Sequence, residues 1–246
     1  MLKTNWKHII VTFFIISLNA CSMTSNSVDA SWSASSEMVS QFQNEVGSLN
    51  MNEMDYFLDV ALASEHGNNE SVIKKWTQDP VIRILGDVSS EDLDTINGII
   101  ADLNAILPSS VQIRTTTGDD YNAAIMITPK DTFNDYSPIY VEGANGFVCV
   151  WKNHNSEITS AQILIASELS GDKRKHVIRE ELTQSLGILN DSWTHADSIF
   201  YQGRSLTTEY AQIDKSILSI LYSDTIEAGM SYDMILSLFQ YTVASL

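Results

Sequence analysis

Glu180, Glu181, Gln184 and Asn190 fall within the run Glu180-Glu181-Leu182-Thr183-Gln184-Ser185-Leu186-Gly187-Ile188-Leu189-Asn190. At about 100° per residue in a helix, Ile178, Leu182, Leu186 and Leu189 share one arc. Glu180, Glu181 and Gln184 share the adjoining arc, with Val177 between them. Such an arc offers only oxygen donors, and two of the four residues are neutral amides. That is a poor set for zinc; calcium or magnesium suits it better but wants more ligands. Without any ion, Glu180 and Gln184 at i,i+4 can hydrogen-bond to one another on a helix surface. No cofactor is therefore expected, with zinc or calcium as the alternatives. A desolvated Glu181 could act as a general base, although no nucleophile stands near it in sequence.

Two histidines widen the choice. His176 lies four residues before Glu180 on the same stripe, and His195 follows in the next loop. Together with Glu180 they would form a displaced His/Glu/His zinc site, provided each ligand is oriented and supported. A partly exposed helix histidine is the simpler reading. Cys149 lies in the apolar run Phe147-Val148-Cys149-Val150-Trp151 and reads as a buried, inert thiol. Its catalytic alternative would use His154 as the base. Trp76, Trp151 and Trp193 read as core or cleft-lining aromatics.

These groups need a scaffold, and the periodicity supplies one. A helix is expected from about Lys173 to Leu189, with Asn190 and Asp191 capping its exit. Strands are expected at Val81 to Leu85, Val111 to Thr115, Ala123 to Thr128, Phe147 to Trp151 and Ala161 to Ala166. Ser89 with Asp92 reads as a helix N-cap, and Leu93, Ile96, Ile100 and Leu103 continue that helix to Pro108. Glu37 to about Ser64 reads as helical with a weak point at Gly47, and His66 to Asn69 as a turn. A further helix runs from about Thr207 to Tyr222. The order predicts an α/β (α+β) fold: a mixed sheet backed by helices, with an N-terminal helical annex.

The chain has 246 residues and a formal charge of −17. That acidity repels phosphate backbones and anionic headgroups, so no nucleic-acid partner is expected. Lys3 and Lys7 precede the apolar run Ile9 to Leu18, which is shorter than the ~20 residues of a membrane span. The run ends in Leu18-Asn19-Ala20-Cys21, which resembles a bacterial lipobox with lipid on Cys21. Ser22 after the cysteine implies an outer-membrane lipoprotein facing the periplasm. A lipidated Cys21 leaves Cys149 alone, so no intrachain disulfide is expected. The domain boundaries read as 1–20 signal peptide, 21–36 lipidated cysteine and tether, 37–70 helical annex and 71–246 α/β domain.

Glu181-Leu182-Thr183-Gln184-Ser185-Leu186-Gly187, Asn190-Asp191-Ser192, Ser198-Ile199-Phe200 and Leu221-Tyr222 resemble the bacterial family known as domain of unknown function 2927. Tyr56-Phe57-Leu58, Ala61, Glu65, Gly67 and Lys75-Trp76 resemble that family's opening, and its members are mostly lipoproteins. More distantly, the Glu180–Asn190 run has the spacing of the metzincin signature H-E-x-x-H-x-x-G-x-x-H. On that resemblance Glu180, Gln184 and Asn190 are vestigial ligand positions, Glu181 holds the catalytic-glutamate position, and Gly187 is the retained glycine. Phe200 stands in place of the Met-turn methionine. His176, Asp191, His195 and Phe200 are then cleft candidates, and Phe147 to Trp151 matches the strand that pairs with substrate.

The resemblance implies a metzincin-like (zincin-like) domain that has lost its metal and keeps a cleft for an extended peptide or an envelope protein. Two other functions stay open at this point. One is a hydrolase using Glu181 with a non-histidine or displaced metal. The other is a structural or assembly lipoprotein whose annex makes the contacts.

Overall fold

The computed structural model describes residues 32–47, 49–62, 71–137 and 143–243. The expected signal peptide, Cys21, most of the expected tether and the turn expected at His66 to Asn69 lie outside the described residues. A parallel core is built from β2 (Val81–Gly86), β3 (Arg114–Thr116), β4 (Ala123–Thr128) and β6 (Glu157–Ala166). The short β1 (Lys75–Trp76) adds to β6, and the sheet runs β1-β6-β4-β2-β3. β5 (Gly146–Lys152) pairs antiparallel with β6, from Gly146 opposite Ile165 to Trp151 opposite Ser160. Ile125, Ile127, Ile163, Leu164 and Ile165 are fully buried in the middle of this sheet. Their near-continuous apolar runs suit strands covered on both faces.

Two helices fix the sheet's working face. α3 (Ser90–Ile106) begins in a capping box, with Ser89 Oγ accepting from Asp92 N and Asp92 accepting from Ser89 N. α5 (Gly171–Gln184) follows β6 and is tied to α3 by Arg174, whose Nε and Nη2 donate to Asp92 at 2.6 and 2.7 Å. Burial pushes the Asp92 carboxyl upward, but hydrogen bonds from Arg174 and Ser89 outweigh it and hold the group below its usual range. Farther along, Arg179 donates to Asp102 on α3 at 2.8 Å and lies over the Tyr210 ring at 4.4 Å.

The expected helix to Leu189 stops at Gln184. Ser185 N and Leu186 N still bond back to Glu181 and Thr183, and Gly187 then turns the chain with φ 117°. The expected Glu37–Ser64 helix is two helices, α1 (Ser36–Val46) and α2 (Met51–Leu62), parted at Gly47. The strand expected from Val111 begins at Arg114, because Val111 and Ile113 instead point into the core beside the end of α3. The helix expected from Thr207 begins at Gln212 as α6 (Gln212–Leu221), where Asp214 accepts from Ala211 N at 2.9 Å.

α4 (Phe133–Tyr136) is one turn, and α7 (Tyr232–Val243) was not anticipated. α7 packs on α1 through the edge-to-face pair Phe42–Phe239, 5.1 Å between centroids. From Ser33 onward the chain is one compact unit. Met54, Phe57, Val60 and Ala61 of α2 are buried, so the annex shares its core with the sheet domain. The 70/71 boundary is therefore not a structural division. No helix among the described residues is long and apolar enough to cross a membrane.

Candidate functional site

β5, α5 and the segment Tyr201 to Leu206 enclose an open cleft of about 1130 Å³. Gly146, Phe147, Val148, Cys149, Val150 and Lys152 line one wall. The hydrogen bond from Ala166 N to Asn145 O, 2.9 Å, sets the phase of the β5–β6 ladder. Asn145, Phe147 and Cys149 turn their backbone groups toward β6, so those of Gly146, Val148 and Val150 turn to the other edge. No strand pairs with that edge among the described residues.

Helix α5 supplies the floor with His176, Val177, Glu180, Glu181 and Gln184. Glu181 is buried and packs directly on the edge strand. A Cβ on Gly146 would come within 2.3 Å of Glu181 Oε1 and 2.6 Å of Val177 Cγ1. Only glycine at 146 allows this approach. His176 Nδ1 donates to Thr207 O at 2.7 Å, and its Nε2 lies 3.6 Å from Glu180 Oε2. Burial lowers the His176 pKa, and the bond to the Thr207 carbonyl opposes that in part. The ring is therefore held neutral at pH 7, with Nδ1 carrying the proton.

The ligand positions do not converge. Gln184 Nε2 donates to Asp191 Oδ1 at 2.8 Å, which ties the helix end to the following loop. Asn190 faces the other way: its backbone N donates to Val60 O and its Nδ2 to Asp59 O at 3.1 Å, both on α2. His195 sits edge-on against Tyr56, 4.6 Å between centroids, and does not line the cleft. The displaced His176/Glu180/His195 site is thus not assembled.

Phe200, expected in the cleft, is fully buried in the core. Of the cleft candidates, His176 and Asp191 are in place. Among the described residues no group of three or more His, Cys, Asp or Glu side chains could hold a metal ion. Zinc needs imidazole or thiolate donors aimed at one point, and an amide bonded to Asp191 with another turned onto α2 does not fit it.

Cys149 lines the cleft, and burial pushes its thiol up to about 11. His154 lines a separate cavity of about 950 Å³ beside Lys75, so no Cys–His pair forms there. Trp76 and Trp193 divide the aromatic expectation. Trp76 is fully buried, whereas Trp193 is exposed and meets Tyr201 edge-on at 5.9 Å.

The residues that hold the helix exit are better defined than those facing the cleft. Trp76 Nε1 donates to Ser185 O at 2.9 Å and Tyr222 Oη to Leu186 O at 2.8 Å. These bonds satisfy carbonyls that the end of α5 leaves open. At Gly187 a Cβ would lie 1.9 Å from Lys74 O, so the turn presses on β1 as only glycine permits. Behind the loop, Tyr56 Oη donates to Ser198 Oγ, which donates to Asp214 Oδ1, both at 2.6 Å. Burial raises the Asp214 carboxyl to about 6, despite hydrogen bonds from Ser198, Ala211 and Ile199 that oppose it.

The sequence reading overlooked Lys74, Lys173, Tyr201, Gln202, Arg204 and Leu206, all of which line the cleft. Their loop and helix-start positions carry no periodic signal; Lys173, three residues before His176, was the one within reach of it.

The antiparallel edge strand, the helix that follows its neighbour and the glycine turn frame the cleft in an α/β scaffold, with carboxylate and amide groups along α5. The chain belongs to the family described as "Protein of unknown function (DUF2927)", which it matches over residues 50–240. It is also similar to the solved structure of myroilysin, at 10% identity and a TM-score of 0.39, covering 61% of this chain and 95% of that one. No curated protein matches the chain.

Proposed function

We propose that this protein is a non-catalytic peptide-binding lipoprotein of the cell envelope, a pseudo-peptidase that holds extended segments along β5. The observation that carries the reading is the outward-facing backbone of Val148 and Val150 on the wall of a cleft whose ligand positions do not converge. An extended peptide added there would gain main-chain hydrogen bonds, which need no metal.

The test uses a displayed random nonapeptide library panned against the full chain in mild detergent, with Val148→Pro beside it. Proline at 148 removes an outward N–H while leaving the ladder to β6 intact. Enriched peptides that bind the wild type uncleaved and lose the Val148→Pro protein are expected. Peptides indifferent to that substitution would refute strand pairing.

A second reading draws on the buried Glu181 carboxylate against Gly146. A hydrolase using Glu181 as general base would turn over peptides, and Glu181→Gln would abolish that turnover. Metal content by mass spectrometry, measured beside a Glu180→Ala/Gln184→Ala control, separates the two readings. Stoichiometric metal lost in the control would favour the hydrolase.

The anchor rests on the leader and on Leu18-Asn19-Ala20-Cys21. Cys21→Ala should lose the lipid mass and leave the outer-membrane fraction; retention there would refute anchoring at this residue.

A further inference from the structure

The two ends of the cleft differ in charge, and one end carries a specific signal. Lys173 lies in the first turn of α5, and Arg204 lies on the opposite wall. The bond from His176 to Thr207 O draws that wall against the helix one turn beyond Lys173. Both side chains are exposed, and neither enters an ion pair among the described residues. Their basic neighbours on α5 are committed to α3 instead, Arg174 to Asp92, Lys175 to Glu91 and Arg179 to Asp102.

The cleft carboxylates stand away from Lys173. Glu180 and Glu181 lie seven and eight residues farther along α5, roughly 10 to 12 Å at about 1.5 Å per residue, and Asp191 bonds Gln184 farther still. Asp172, next to Lys173, exerts its field on Lys175, which bonds Glu91 on α3. Two cations outside any ion pair among the described residues therefore line the cleft of a protein whose formal charge is −17. A local field opposite in sign to that of the whole molecule discriminates among partners more than it adds affinity.

We propose that the cleft selects extended peptides bearing an aspartate or glutamate side chain at the Lys173–Arg204 end. The inference rests on the β5-pairing reading above. Gly146 packs against Val177, one helical turn past Lys173, so the basic pair lies beyond the Gly146 end of β5. At about 3.3 Å per residue the selected carboxylate falls roughly two to four residues from the peptide residue opposite Val148.

The same nonapeptide panning, repeated on Lys173→Glu/Arg204→Glu, tests this. Both positions are exposed, and an unchanged circular dichroism spectrum and melting temperature verify the fold. Wild-type protein should enrich Asp or Glu at one end of the selected peptides. Those peptides should bind the reversed protein about tenfold more weakly or worse, and the reversed protein should enrich Lys or Arg there. Peptides that require Val148 yet show no acidic preference would overturn the charge selection and leave strand pairing standing. Failure to enrich any peptide on the wild type would overturn both.

Discussion

The two ends of α5 are held in different ways. At its C-terminal end every open group is met: Trp76 and Tyr222 cap Ser185 and Leu186, and Gly187 presses on the Lys74 carbonyl. On its cleft face, His176 bonds a loop carbonyl, Gln184 bonds Asp191, and Asn190 has left for α2. The first region fits two buried side chains to closing carbonyls and the Gly187 backbone to the Lys74 carbonyl. The second is a set of side chains each satisfied by a separate partner. A scaffold held by contacts to backbone atoms is independent of the cleft side chains, each of which is tied to a partner of its own.

The largest effect should come from the helix exit. Gly187→Ala combines a φ of 117° with a Cβ 1.9 Å from Lys74 O. It should cost on the order of 3 kcal/mol or more, read by denaturant unfolding. A loss below about 1 kcal/mol would mean the turn is not the rigid feature described.

Next is the pH dependence at Asp214. Its folded pKa, about 6, lies above the ordinary carboxyl value of 3.8. The folded state therefore binds the proton more tightly, so this group's stabilising contribution is full below pH 4 and is lost as pH rises through 6. The loss should be on the order of 2–3 kcal/mol, taken as wild type minus Asp214→Asn across pH 4 to 7. Parallel curves for the two proteins would refute it. Asp92, held below its usual range, acts in the opposite sense, which is why the difference rather than the raw curve is the readout.

Tyr56→Phe removes one buried hydrogen bond to Ser198 and should cost about 1 kcal/mol. Gln184→Ala breaks the tie to Asp191 from a buried position and should cost about 0.5–1 kcal/mol. A cost for Gln184→Ala equal to that for Gly187→Ala would erase the contrast between the two regions. The smallest expectation is no change: His176→Ala and His195→Ala should leave metal content as it is, because His195 packs on Tyr56 away from His176.

Much of the scaffold was legible from pattern alone. β4 spans the residues read from its apolar run, and α3 begins at the Ser89–Asp92 cap. Helix ends were less legible. α5 stops at Gln184 although Leu186 and Leu189 continue the apolar period, because the Gly187 turn takes over. α7 carries a mixed face that is buried by α1 and α2, contacts remote in sequence. In the cleft, Glu180, Glu181 and Gln184 share one helical arc, and the structure places all three along its lining. Asn190, His195 and Phe200 lie beyond the turn, where no period links them to that arc.

The sequence by itself determined the helical arc with its oxygen donors and the apolar run of β4. Each is a local property, set by backbone geometry and by side-chain spacing along one element. Only the tertiary structure decided that Asn190 turns to Asp59, that Phe200 enters the core and that Lys173 and Arg204 line one cleft. Those outcomes depend on where loops are pinned by contacts distant in sequence, and no spacing rule reaches across such distances.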